Sequence, residues 1–251
     1  MLSKARIKLI QSLNLKKHRS ELKLFVVEGK KQVTELLTSN YQINCIVATP
    51  NWANAFAQDI KNNTELIIVN AEELKKASLL QTPQEVLAVV EIHELAFTPQ
   101  ILNEQFTIVL DGIQDPGNMG TIVRIADWYG IKNIVCSYDC VDILNPKTIQ
   151  ATMGSFARVN VFYTALDELF KNNTLPVFGA LMHGESLYNT PICELGILLI
   201  GNEGKGISNK LLPYITNPIT IPRVGEADSL NAGIATAIIC DARARFLATG
   251  N

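Results

Sequence analysis

The stretch ITIPRVGEADSLNAGIATAIIC, residues 219–240, decides how the C-terminal half of this chain folds. Residues 219–221 read as a short buried strand and 222–228 as a loop, with Ser229 as the N-cap of a helix running to about residue 247. That helix is apolar on nearly every face (Leu230, Ala232, Ile234, Ala235, Ile238, Ile239), so it needs cover on several sides, from its own core or from another subunit. Burial accounts for the apolar residues but not for Ser229 and Asn231. These are polar side chains at the first turn of an apolar helix, just after a glycine-containing loop, where free N–H groups face a ligand.

Two further stretches have the same strand-to-turn form. Upstream, LLIGNEGKGIS (198–208) is a buried strand entering a glycine-rich turn, in which Gly201, Gly204 and Gly206 permit close backbone approach. It is not a Walker A loop, because Leu199 and Gly206 stand where Gly and Ser or Thr are required, and Asn209 breaks the dinucleotide fingerprint. Glu203 would repel a phosphate placed there. Further upstream, DGIQDPGNMGTIVR (111–124) leaves a strand and enters a helix, with Asn118 near its cap and Arg124 one to two turns inside. An arginine flanked by Val123 and Ile125 needs an anion, an acid or a subunit partner: either a bridge to an acid such as Asp127, or an oxyanion or phosphate from a ligand.

The rest of the chain alternates strand and helix. Strands are expected at 24–27, 43–48, 66–69 and 86–90, with helices at 4–20, 31–37, 52–60 and 71–78, as in a mostly parallel sheet covered by helices. Residues 1–92 form a first domain, and 93–104, which lose periodicity around Pro99, form a linker. In the second domain, 105–251, strands are expected at 106–110, 133–136, 159–162, 177–181 and 197–200, and helices at 118–129, 146–153, 166–170 and 208–212.

Composition narrows the function. No apolar run reaches membrane-span length and no signal-peptide core follows Met1, so a soluble cytoplasmic protein is expected. The five cysteines are odd in number and scattered, which suits a reducing compartment, and His18, His93 and His183 do not cluster with them, so no metal is expected. The net charge is −2, yet residues 1–31 carry nine basic and two acidic side chains, leaving the remainder at −9. So one-signed a segment suits a phosphate-facing surface, with Lys16, Lys17 and Arg19 as its candidate phosphate contacts.

Taken together, Asp115-Pro-x-Asn-x-Gly-x-x-x-Arg124, Gly201-Asn-Glu-Gly-x-Gly-Ile-Ser208, and Ile221-Pro with Ser229-Leu-Asn231 resemble, in order and spacing, the three motifs of the SpoU/TrmH-type RNA 2′-O-ribose methyltransferases of the SPOUT class. Arg19, Phe25-Val-Val-Glu-Gly29 and Thr82-Pro-Gln resemble that family's L30e-like substrate-binding domain. The sequence departs from the usual pattern at Arg223, commonly Met, and at Ala232-Gly233, commonly Val-Ser. The resemblance implies an α/β fold with a knotted SPOUT methyltransferase domain preceded by a smaller L30e-like domain, dimerisation, and S-adenosylmethionine as methyl donor. It implies Arg124 as the catalytic arginine with Asn118, Glu203, Ser229 and Asn231 around it, and a cofactor pocket at Gly201, Asn202, Gly204, Ile221 and Leu230. The substrate is then RNA, ribosomal rather than transfer RNA because of the appended domain. The alternatives are tRNA, a catalytically inactive RNA-binding dimer, or a nucleotide-binding enzyme using residues 201–206. No His or Cys is placed to act as base, so Arg124 either orients hydroxyl and phosphate or is strongly perturbed by its surroundings; His183, expected in a loop after a strand, is a secondary candidate for lining the pocket.

Overall fold

The computed structural model describes residues 2–61, 63–93 and 96–249, so residues 94 and 95 of the anticipated linker lie outside it. In chain order the first elements are α1 (Lys4–Ser12), α2 (Lys16–Leu22), β1 (Leu24–Glu28), α3 (Lys30–Leu37), β2 (Ile43–Ala48), α4 (Pro50–Phe56), β3 (Glu65–Ile68), α5 (Ala71–Ala77) and β4 (Val86–Glu91). They are followed by β5 (Thr107–Leu110), α6 (Pro116–Trp128), β6 (Asn133–Cys136), α7 (Pro146–Thr152), β7 (Asn160–Tyr163), α8 (Leu166–Lys171), β8 (Val177–Ser186), β9 (Ile197–Ile200), β10 (Asn217–Thr220) and α9 (Ala232–Thr249). These elements form two compact units, one of residues 1–94 with 142–157, the other of 95–141 with 158–251. Residues 142–157, read from the sequence as part of the second domain, therefore pack with the first unit. Ile149 and Phe156 enter its core, where the Phe156 ring meets Phe25 edge-on at 6.3 Å.

The first unit departs from the sequence expectation in two ways. Its sheet, ordered β1-β4-β2-β3, is mixed: β2 and β3 are parallel, but β4 runs antiparallel to both β1 and β2. The reason lies in the non-helical residues between α5 and β4. The buried Glu28, at the end of β1, accepts hydrogen bonds from Ser78 Oγ (2.5 Å) and Leu79 N–H (2.6 Å), which fixes the returning chain where β4 must start. Secondly, the anticipated 4–20 helix is broken. Ser3 caps α1, Leu15 is extended (φ −93°, ψ 129°), and the Arg19 guanidinium takes the Leu13 and Asn14 carbonyls, both at 2.9 Å, that a continuous helix would have used internally.

Burial raises the Glu28 carboxyl above its usual range, against smaller lowering by Ser78 and Leu79. An acid whose folded value is raised contributes stability that is fully present below its unfolded value and lost as pH rises through the folded one. Glu28→Gln keeps an acceptor for Leu79 and removes that loss. Its urea midpoint should therefore fall less than the wild type's from the ordinary carboxylate range up to neutrality; equal slopes would show that Glu28 is charged at no cost in the fold.

In the second unit six strands, ordered β10-β8-β9-β5-β6-β7, are all parallel. Strands β5, β6 and β9 are buried at every position, as expected of strands covered on both faces. Asp115 caps α6 by accepting from the Asn118 N–H (2.8 Å), and Pro116 occupies the first helical position, where its missing N–H costs nothing. The helix ends at Gly130, whose φ of +69° permits the closing turn in which Ile131 N–H bonds the Ala126 carbonyl.

Helices α6 and α9 pack together, and closely: a Cβ on Gly233 would lie 2.9 Å from Thr121 Cγ2. Helix α9 buries Ala232, Gly233, Thr236, Ile239 and Cys240 but leaves Ile234 exposed. Its cap is Asn231 and not Ser229: Asn231 Oδ1 accepts from the N–H groups of Gly233 (3.0 Å) and Ile234 (3.2 Å). Strand β8 is longer than expected and reaches Ser186, so His183 is a strand residue. Its register against β10 shifts between the pairings at 178–179 and those at 185–186. The expected 208–212 helix is absent; a 3-10 turn at Leu212–Tyr214 stands just beyond it. No helix among the described residues is long and apolar enough to cross a membrane.

Candidate active site

Strand β5 runs into Asp111-Gly112, and the glycine-rich turn after β9 closes on these residues. The buried Asp111 accepts the Ser208 N–H at 2.7 Å, and Gly112, held at φ +72°, gives its carbonyl to Asn202 Nδ2 at 2.6 Å. Asn202 Oδ1 meanwhile accepts the N–H groups of Gly204 and Lys205, both at 3.0 Å, and its main chain exchanges two hydrogen bonds with Gly206. The turn is so tight that a Cβ on Gly201 would lie 2.3 Å from the carbonyl carbon of Gly206, which only glycine tolerates.

The third stretch joins through side chains. Asn231 Nδ2 donates to Asn118 Oδ1 (2.7 Å), and Asn118 Nδ2 donates to Glu203 Oε1 (2.7 Å). A single hydrogen-bonded run thus links the start of α9, the start of α6 and the glycine-rich turn, stretches 85 and 113 residues apart in pairing. Around it, main-chain groups stay open: Gly201, Ile221 and Leu230 make no main-chain hydrogen bond within the described residues. Such unengaged donors and acceptors beside a backbone that approaches closely suit a planar heterocycle with polar edges.

Residues 105–241 of the chain match the SpoU rRNA Methylase family. The chain belongs to that family. Residues 4–88 match the MRM3-like substrate binding domain. Among relatives, the chain is 29% identical over 234 residues to the 23S rRNA (guanosine(2553)-2′-O)-methyltransferase RlmP of Bacillus subtilis, covering 91% of this chain and 92% of that protein. Among solved structures, it superposes with a TM-score of 0.84 at 36% identity on a TrmH-family protein from Porphyromonas gingivalis, covering 97% and 98% of the two chains. With an AdoMet-bound rRNA methyltransferase from Sinorhizobium meliloti the TM-score is 0.85 at 27% identity, over 98% and 97%. The fold class and enzyme class expected from the sequence, an α/β SPOUT RNA 2′-O-ribose methyltransferase using S-adenosylmethionine, therefore hold.

Within this SpoU chain the expected site residues divide. Asn118, Glu203 and Asn231 meet directly, and Asn231 also caps α9, so the three form a scaffold whose polar groups are largely spent on one another. Arg124 is exposed on α6 and makes no hydrogen bond or ion pair among the described residues. The bridge to Asp127 considered from the sequence does not form, because Asp127 is held by Arg158 at 2.8 Å. Ser229 lies in the exposed loop before α9 and makes no hydrogen bond to the three-residue run among the described residues.

Two features escaped the sequence reading. Asp111 anchors the glycine-rich turn, and its only signal was an acid at the C-terminal end of a buried strand. Beneath the first motif, Cys140 Sγ accepts the Ile113 N–H at 3.2 Å. The Cys140 thiol is lowered to about 7, first by hydrogen bonding with Cys136 and then, against burial, by Ser137 and the main chain of Ile113 and Gly112. The spacing of Cys136 and Cys140 was visible, but nothing local marks their contact with the loop.

The RNA contacts expected at the N-terminus are also divided. Lys16 and Lys17 are exposed, whereas Arg19 is buried, its guanidinium held by two carbonyls and by Asp142 at 2.5 Å. A guanidinium with those partners is unavailable to a phosphate, so Arg19 leaves the RNA-facing set.

Proposed function

We propose that this chain methylates a ribose 2′-hydroxyl in ribosomal RNA, as a homodimer in the cytoplasm, with Arg124 as the group that meets the reacting hydroxyl and its neighbouring phosphate. The observation that supports this most directly is the Asn231–Asn118–Glu203 run, which unites three distant motifs on the helix that also carries an unpaired arginine. S-adenosylmethionine supplies an electrophilic methyl group; Gly201, Ile221 and Leu230 hold it by main-chain contacts, and Asn202 and Gly204 shape the turn beneath it. Arg124 presents a planar fork of donors that spans a hydroxyl and a phosphate together, stabilising negative charge as it grows on the oxygen. Asn118, Glu203 and Asn231 act as positioning residues, and Ser229 lines the loop above them. The relation to RlmP, whose name specifies 23S rRNA, favours ribosomal over transfer RNA.

Dimerisation is supported by what the chain leaves uncovered. Trp128 at the end of α6 is 84% exposed and Ile234 on α9 is 52% exposed, apolar surface on the two helices that carry the site. The knotted topology and the division into a substrate-binding part near residues 1–92, which residues 142–157 join, and a catalytic part from the rest of 105–251 belong to the same proposal, supported by the separate matches at 4–88 and 105–241. Free cysteines, four of the five buried, suit a reducing compartment.

Asn118→Ala should cut methyl transfer about tenfold, the scale of one hydrogen bond to a charged group, while leaving the melting temperature within a few degrees of wild type. The reading is tested by incubating the protein with labelled S-adenosylmethionine and either ribosomal or transfer RNA. Transfer to transfer RNA alone would move the substrate assignment, and specific RNA binding without transfer would make the chain a binder.

A further inference from the structure

The first unit carries a groove of about 480 Å³, within the size range of sites that hold one small ligand. Its lining includes Lys30, Lys31, Thr34, Phe56, Gln84 and Gln150. The floor is built at the start of α3. Gly29, at φ +104°, brings the chain in so closely that a Cβ there would lie 2.7 Å from Gln32 Oε1 and 2.9 Å from Gln84 Oε1. Lys30 N–H donates to Gln84 Oε1 at 3.1 Å, which places the Gln84 amide at the helix start. Phe56 is stacked on the buried Trp52 at 5.0 Å and 28°, and Lys30 Nζ stands 5.9 Å from the Phe56 centroid. Thr34 contributes a buried hydroxyl with no hydrogen-bond partner among the described residues.

Two cations of the basic N-terminal region stand at the groove. Arg6 is bound to Glu65, Arg19 to Asp142, and Lys17 lies near Glu21; Lys4, Lys8, Lys16, Lys30 and Lys31 are exposed and make no ion pair among the described residues, and of these Lys30 and Lys31 line the groove. Glu35 also lines the groove but already has an interaction of its own. An aromatic ring stacked on Trp52 and approached by the exposed Lys30, two cations outside any ion pair among the described residues, and two side-chain amides match the parts of an unpaired nucleotide: a base to stack, flanking phosphates to neutralise, and a polar base edge.

We propose that this groove holds one unpaired nucleotide of the RNA substrate, with the base against Phe56, Gln84 and Gln150 at its edge, and Lys30 and Lys31 on the adjoining phosphates. The proposal rests on the reading that the chain acts on RNA. It moves the RNA footprint of the first unit from Arg19 to the start of α3.

The test uses the full chain, a fluorescent RNA stem–loop, and a fully paired RNA duplex of equal length, titrated at several salt concentrations. Wild-type protein should prefer the stem–loop. Phe56→Leu should weaken stem–loop binding roughly tenfold or more and leave duplex binding unchanged, the scale of one lost base–aromatic stack. The exposed pair Lys30→Ala/Lys31→Ala, which leaves the core untouched, should reduce the slope of log affinity against log salt by about 2. Calorimetry with S-adenosylmethionine should be unchanged in both variants. Stem–loop binding by both variants equal to wild type, or a wild type indifferent to the loop, overturns the groove. If methyl transfer to ribosomal RNA persists in that case, the methyltransferase reading stands without it. Variant losses as expected, in a protein that transfers no methyl, uphold the groove and sink the catalytic reading.

Discussion

Arg124→Ala should lower methyl transfer by roughly two orders of magnitude or more, the usual scale for losing one preorganised transition-state donor, while the protein remains a folded dimer that binds S-adenosylmethionine. The separation is expected because the Arg124 side chain is exposed and bonds to nothing among the described residues, so the fold does not depend on it. The proposed cofactor pocket, by contrast, uses main chain around Gly201, Ile221 and Leu230. Arg124→Lys keeps the charge and loses the fork; it should recover little of the activity if hydroxyl and phosphate must be held together. Single-turnover transfer, calorimetry and light scattering on the same preparations decide the matter. A variant that transfers methyl normally would remove Arg124 from the mechanism, and one that elutes as a monomer or aggregate would make it structural.

The opposite profile is expected at Arg19. Arg19→Ala removes a buried guanidinium that satisfies the Leu13 and Asn14 carbonyls and leaves Asp142, whose side chain is only 16% exposed, without its partner. Breaking a buried pair from one side costs about 3 kcal/mol or more, which should appear as a lowered denaturant midpoint. RNA affinity measured on the folded fraction should hardly change. Lys16→Ala/Lys17→Ala should do the reverse, leaving stability unchanged and flattening the salt dependence of RNA binding, since both side chains reach solvent. A stable Arg19→Ala protein with weakened RNA binding would return that arginine to the RNA surface.

These two arginines mark how far the sequence carries. Arg124 stood in a motif, and the motif's spacing placed it on the right helix; what could not be read was that Asp127 is committed to Arg158, 31 residues away, which leaves Arg124 unpaired. Arg19 stood in a one-signed basic segment, and composition does not reveal that a main-chain break at Leu15 turns one cation inward. The strands of the second unit were legible because burial on both faces gives continuous apolar runs, as in 107–110 and 197–200. The direction of β4 was not, because it depends on Glu28 holding Ser78 and Leu79, a contact across 50 residues. Ser229 and Asn231 were equally good caps by residue type, and only the observed hydrogen bonds distinguish them. Residues 142–157 lie between two strands of the parallel sheet in sequence, yet belong to the first unit through Ile149 and Phe156. Local periodicity reports that such residues are apolar and helical, but not which core receives them.

We propose that the run linking Asn118, Glu203 and Asn231 assembles a ribose methyltransferase site. Its most direct test is the chemical position of the transferred methyl group. Ribosomal RNA labelled by the purified protein and S-adenosylmethionine should, after alkaline hydrolysis, release the label in dinucleotides that resist cleavage, because a methylated 2′-oxygen cannot attack its phosphate. Label released in mononucleotides carrying a methylated base, or no label in RNA at all, would contradict it.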